Sequence, residues 1–172
     1  VDDLPDDFSV KVNGVKHLVL GTVEKGGSGC ICPESTMLKA LMKHVIVRRD
    51  EVVIMDMEAG IEHLGRGTAA SVDAMLVVVE PGQRSVQTAR QIQKLAADLK
   101  LLRVYLVLNK VHDRAEEEQL RAYLPDLPVI GTVSERESIR RADLEGRSPI
   151  DVDPAFDAEI AVIKERLKKE IG

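Results

Sequence analysis

The chain has 172 residues, 44% of them hydrophobic, 2% aromatic, and a formal net charge of −5. That is enough apolar material for one domain with a core. Two Phe, two Tyr and no Trp leave few stacking platforms for single-stranded nucleic acid, and the acidic balance opposes a polyanionic partner. No apolar run approaches a membrane span and no signal peptide is visible. Neither nucleic acid nor membrane is therefore an expected partner. The chain starts at Val1 in an acidic stretch with Asp2, Asp3, Asp6 and Asp7, which reads as a fragment or a processed product.

Strand patterns alternate with helix patterns, which predicts a single α/β domain over residues 1–172, a mostly parallel sheet flanked by helices. The first strand expected is Lys16 to Val23, followed by a Gly-rich loop and a helix over Pro33 to Val47. That helix carries Met37, Leu38, Leu41, Met42, Val45 and Ile46 on one stripe. Further strands are expected over Glu51 to Met57, Ala74 to Glu80, Arg103 to Asn109 and Pro128 to Val133. All are rich in Val, Ile and Leu, as strands covered on both faces should be. The remaining helices are Arg84 to Leu99, Ala115 to Leu124, Glu135 to Leu144 and Pro154 to Glu170. The last ends on Lys168 and Lys169, with Gly172 beyond, a favourable C-terminus.

Both cysteines lie in the loop Glu24-Lys25-Gly26-Gly27-Ser28-Gly29-Cys30-Ile31-Cys32-Pro33. In an extended segment Cys30 and Cys32 project to one side. Pro33 favours the first turn of the next helix, so Cys32 sits at or near its N-cap, where thiolate is favoured. Thiolates bind soft and borderline metals, and two of them make half of a tetrahedral site. A twofold dimer with this loop on its axis would supply the other half. The competing readings are a flexible turn with inert packing cysteines, or a strained short-ring disulfide. The same loop resembles a phosphate-binding loop, but Cys30 and Ile31 stand where Lys and Ser/Thr are needed, and no other window supplies them. Cysteines without further partners point to a reducing, cytoplasmic setting.

In open α/β sheets ligands bind beyond the carboxyl ends of the strands. At one such end Asp56 is placed to hold Mg2+ through water, and Gly60 would let a backbone N–H approach a terminal phosphate. The plainer reading of Asp56 is a turn cap. Glu58, Glu62 and the lone His63 read as solvated loop residues. At another end, Asn109 can read a purine edge and the stem of Lys110 can lie over its face. Guanine sites carry Asp where this chain has His112, which favours adenine; the plain alternative is that Asn109 caps a turn. Gly131, Thr132 and Val133, with Ser134-Glu135-Arg136 after them, close a further strand and can complete a base pocket. Arg84, Arg140, Arg141 and Arg147 are either anion contacts or surface charges.

With these pieces in view, the chain resembles the CooC-type nickel-insertion ATPases that mature carbon monoxide dehydrogenase. These belong to the deviant Walker A P-loop group that includes MinD, ParA and the nitrogenase iron protein. The matching stretches run from Gly21 to Glu34, Asp56 to Thr68, Val79 to Ser85, Asn109-Lys110 and Ala142 to Ser148. The resemblance implies a P-loop NTPase fold and a homodimer that sandwiches ATP with Mg2+ and couples hydrolysis to metal delivery. It implies that Cys30 and Cys32 bind Ni2+ or Zn2+ across the dimer interface. Asp56 matches the switch II residue near Mg2+, Gly60 the glycine near the γ-phosphate, and Asn109 the adenine-reading position, with Gly131 to Val133 near the base. Family members carry a Lys-Gly-Gly-x-Gly-Lys-Thr segment and switch I ahead of the region matching Val1. The expectation is therefore a C-terminal portion of a longer ATPase, or a split or truncated product. It would lack the strand that normally sits mid-sheet, bind ATP poorly and hydrolyse it negligibly by itself.

Two other functions compete with a maturation ATPase. One is a non-enzymatic metal-binding module or metallochaperone dimerising through Cys30 and Cys32. The other is a partitioning-type ATPase, which needs a membrane-seeking tail or a basic surface. The acidic residues Asp157, Glu159, Glu165 and Glu170 in the last helix support neither.

Overall fold

A computed structural model describes residues 9–18, 52–57 and 72–172. The chain divides into two compact units, Val1–Ser71 and Val72–Gly172.

In the first unit, β1 (Val10–Val12) and β2 (Val15–His17) form an antiparallel hairpin with Val12 opposite Val15 and Val10 opposite His17. Asn13 and Gly14 make its turn, both left-handed at φ 50° and 84°. Asn-Gly is the pair that a two-residue hairpin turn favours, since both positions need positive φ. The buried parallel strand expected from Lys16 is thus replaced, over its described part, by an exposed hairpin arm. Turn chemistry next door outweighs the apolar run. The strand expected over Glu51 to Met57 is not formed over 52–57 either. Val52 and Ile54 are each 87% exposed there. A β-branched run becomes a strand only when a neighbour completes its ladder, and among the described residues it has none. The helix expected over Pro33 to Val47 lies outside the described residues.

The second unit holds a parallel sheet in the order β3 (Met75–Val79), β4 (Val104–Val111), β5 (Val129–Ser134). Helix α1 (Gln83–Asp98) connects β3 to β4, and α2 (Arg114–Tyr123) connects β4 to β5. After β5 come α3 (Glu137–Leu144), the short α4 (Pro149–Val152) and α5 (Pro154–Ile171). Alternation of side chains splits the core into two clusters. On one face Val77, Val79, Leu106 and Leu108 pack with Val86, Ala89 and Ala96 of α1 and Leu120 of α2. On the other, Tyr105, Val107, Ile130 and Val133 pack with Ile163 of α5. Leu106 and Leu108 are fully buried, each contributing about 1.5–3 kcal/mol through the area removed from water.

Local signals explain the helix starts. Asp113 caps α2 by accepting from Glu116 N at 2.8 Å. Asp153 caps α5 by accepting from Ala155 N and Phe156 N, each at 3.0 Å, with Pro154 at the first helical position. The parallel sheet covered by helices is the expected α/β class.

Candidate nucleotide-base site

Because β3, β4 and β5 run parallel, their carboxyl ends share one edge of the sheet. Val79 registers with Leu108, so one step further Glu80 lies beside Asn109. Asn109 donates through Nδ2 to Glu80 Oε1 at 3.3 Å, and the Lys110 ammonium lies 2.8 Å from the same oxygen. In a regular strand, residues 109 and 110 would point to opposite faces. Lys110 instead adopts φ 55°, and the register with β5 shifts between Leu108 and Val111. That left-handed residue, which costs about 1–2 kcal/mol for a side chain with Cβ, turns both side chains onto Glu80. Glu80 is held in turn, its backbone N–H donating to Ser85 Oγ at 3.0 Å. The hydrogen bond with Glu80, and then its charge, hold the Lys110 ammonium above the usual lysine range. Lys110 and Glu80 are 59% and 45% exposed, so their ion pair contributes at most about 1 kcal/mol.

The Asn109 amide has one end engaged and one end open. A carboxylate only accepts, so the nitrogen of the Asn109 amide faces Glu80 and its Oδ1 faces away, with acceptor capacity for an exocyclic amine. Asp113, and not Asn109, caps the helix that follows. His112, at the position where guanine sites carry Asp, is engaged elsewhere. Its Nε2 lies 2.6 Å from Glu135 Oε2, and its backbone N–H donates to Glu116 Oε2 at 2.8 Å.

The tract Gly131 to Val133 is placed differently from a side-chain pocket. A Cβ on Gly131 would stand 2.2 Å from Ile163 Cγ1, so glycine here lets α5 close onto the sheet. Val133 is buried in the α5 cluster and Thr132 is half-buried. What this tract can offer a base is mainly its backbone. Ser134 and Arg136, read from the sequence as further pocket residues, are engaged with α5. Ser134 donates to Glu159 through its backbone N–H at 3.2 Å and its hydroxyl at 2.8 Å. Arg136 grips the same carboxylate through Nη1 and Nη2 at 2.8 and 2.6 Å. Ser138 donates to Asp153, whose carboxylate also lies 4.0 Å from Arg136 Nε. The Arg136 hydrogen bonds hold Glu159 below the usual carboxylate range, and Ser138 does the most to hold Asp153 there.

This network was not read from the sequence. Asp153-Pro154 was a visible cap signal, whereas the Arg136–Glu159 pair joins residues from two separate elements. Glu80 was likewise missed, because its place beside Asn109 follows from strand register. Arg140, Arg141 and Arg147 pair with Glu137 and Glu145 on the surface, as their plainer reading had it.

Asp56 is exposed and lies in the first unit, at the end of an irregular stretch. Gly60, Cys30 and Cys32 lie outside the described residues. Among the described residues, no group of three or more His, Cys, Asp or Glu side chains is placed to hold a metal ion. Nor is any described helix long and apolar enough to cross a membrane.

No protein-family profile matches the chain. It is 38% identical over all 172 residues to the carbon monoxide dehydrogenase accessory protein CooC of Rhodospirillum rubrum, covering 65% of that protein. The chain is a relative of the CooC-type group. It is also 43% identical over 166 residues to an uncharacterized ATP-binding protein of Methanocaldococcus jannaschii, covering 95% of this chain and 64% of that one. The chain thus spans just under two thirds of the length of both relatives. The MinD cell division protein of Aquifex aeolicus overlaps 66% of this chain and 48% of its own, at 20% identity and a TM-score of 0.47, and nothing further rests on that overlap.

Proposed function

We propose that this chain belongs to a nucleotide- and metal-binding accessory protein that delivers nickel to carbon monoxide dehydrogenase. The observation that carries this reading is the 38% identity to CooC, sustained from one end of the chain to the other. In this reading Asn109 accepts the exocyclic amine of adenine through Oδ1. Lys110, its ammonium on Glu80, keeps its methylene stem for the face of the base. The backbone of Gly131, Thr132 and Val133 borders the ring. Asp56 serves the Mg2+ ion through water, and Gly60 approaches the terminal phosphate. ATP with Mg2+ supplies the phosphoryl chemistry when bound; the residues of this chain bind and orient it. Cys30 and Cys32 present two thiolates to a nickel or zinc ion, and a second copy of the chain completes a four-thiolate site. Thiols in that state belong to the reducing cytoplasm.

The test is metal content per chain together with molar mass in solution, under reducing conditions, with Ni2+ or Zn2+ supplied. One metal per two chains with a dimeric mass is expected, and both should disappear when Cys30 and Cys32 are replaced by Ser. Metal stoichiometry unchanged in that variant contradicts the shared clamp. Metal bound by the cysteines of a full gene product that takes up no ATP would instead favour a metallochaperone without nucleotide chemistry.

A further inference from the structure

We propose that Glu80 makes this site select a 6-amino purine over a 6-keto purine, by fixing which end of the Asn109 amide faces the base. The proposal rests on the reading of Asn109 as a base-contacting residue and adds a positioning residue to it.

A free asparagine amide presents nitrogen or oxygen with equal ease, because a half-turn about its last bond exchanges a donor for an acceptor. Such a residue accepts from the amine of adenine in one orientation and donates to the keto oxygen of hypoxanthine or guanine in the other. Asn109 is not free in this way. Glu80 Oε1 lies 3.3 Å from Asn109 Nδ2, and a carboxylate oxygen tolerates only the donor end. Flipping the amide would set Oδ1 against a carboxylate oxygen, exchanging a hydrogen bond for a repulsion. Oδ1 is therefore the atom turned away from Glu80, and it suits an amine and not a keto group.

Glu80 is itself held at its carboxylate and at its backbone. Lys110 Nζ sits 2.8 Å from the same Oε1, and the backbone N–H of Glu80 is tied to Ser85 Oγ at 3.0 Å. The left-handed backbone of Lys110 brings the ammonium to that side of the sheet edge. The base-reading amide, the carboxylate that orients it and the ammonium that anchors the carboxylate thus come from the ends of two adjacent parallel strands. Each is placed by the Val79–Leu108 register and the irregularity after it.

The experiment compares equilibrium binding of ATP and ITP, which differ in amine against keto at the purine 6-position. It uses the full gene product with Mg2+, as wild type, Glu80→Gln, Glu80→Ala and Asn109→Ala, with thermal midpoints recorded beside each. Glu80→Gln keeps the size and shape of the side chain but lets either end of the Asn109 amide face it. Any change in charge near the phosphates acts on ATP and ITP alike and cancels in their ratio. Wild type should prefer ATP by roughly tenfold, the size of one well-placed hydrogen bond. Glu80→Gln and Glu80→Ala should bring the ratio close to one, chiefly by relieving the penalty against ITP, with Glu80→Gln melting as wild type does. A ratio unchanged in Glu80→Gln, but lost in Asn109→Ala, overturns the role of Glu80 and leaves the base site standing. A ratio unchanged in all three variants, or no binding of either nucleotide by wild type, overturns the base-site reading and this proposal with it.

Discussion

Two charged clusters border the carboxyl edge of the same sheet, and they are built to opposite ends. After β5, the Glu159 carboxylate takes hydrogen bonds from Ser134 and both terminal nitrogens of Arg136, and Asp153 closes the network by capping α5. Arg136 and Glu159 are each only 22% exposed. Between β3 and β4, Glu80, Asn109 and Lys110 meet at one carboxylate oxygen, with the Glu80 and Lys110 side chains about half in solvent, and leave Asn109 Oδ1 facing away. A saturated cluster locks one helix to one loop. A cluster with an acceptor to spare is the one that can take a ligand.

The sharpest way to break this contrast is to remove Glu159. Glu159→Ala leaves the Arg136 guanidinium part-buried without its bidentate partner, and should cost about 2–3 kcal/mol in chemical denaturation. It should leave any preference between ATP and ITP unchanged. The pH dependence follows from the depressed Glu159 carboxyl. Its contribution is fully present above its ordinary value of 4.5 and is lost as pH falls through the lower folded-state value. The stability gap between wild type and Glu159→Gln should therefore be widest above about pH 4.5 and close in acid. A gap that widens on acidification would contradict the network.

Next in size is Gly131→Ala. Its new Cβ meets Ile163 Cγ1 at 2.2 Å, so α5 or the Ile163 rotamer must move, at a cost of about 1–3 kcal/mol. A Gly131→Ala, Ile163→Val pair should recover part of that loss, as residues in contact couple in double-mutant cycles. The smallest stability effect belongs to the open cluster. Asn109→Ala should change unfolding free energy by no more than about 0.5 kcal/mol, as surface substitutions do. The same change should weaken ATP binding roughly 3- to 10-fold, the size of one neutral hydrogen bond. A large stability loss there would make Asn109 structural and erase the distinction between the clusters.

The parts of the fold legible in the sequence are those decided locally. The stripe Val86, Ala89, Ala96 fixes α1 to within a residue at each end, and the apolar runs at Met75–Val79 and Val129–Ser134 become core strands. The strand-end rule also led to Asn109 and Lys110. The first unit shows the converse, since Asn13-Gly14 was a readable hairpin signal passed over in favour of a longer apolar run. What local pattern does not contain is the partner. Glu80 meets Asn109 through register, and Gly131 is small because of a helix that begins well after it in the chain.

The account is tested most directly by locating ATP on the second unit with amide NMR of the 15N-labelled full gene product, titrated with ATP and Mg2+. Saturable shifts are predicted for the Asn109 side-chain amide and for the backbone N–H signals of Gly131, Thr132 and Val133, with Arg136 and the start of α5 little changed. Saturation with those signals unmoved, or no saturation at all, would contradict a base site at this edge.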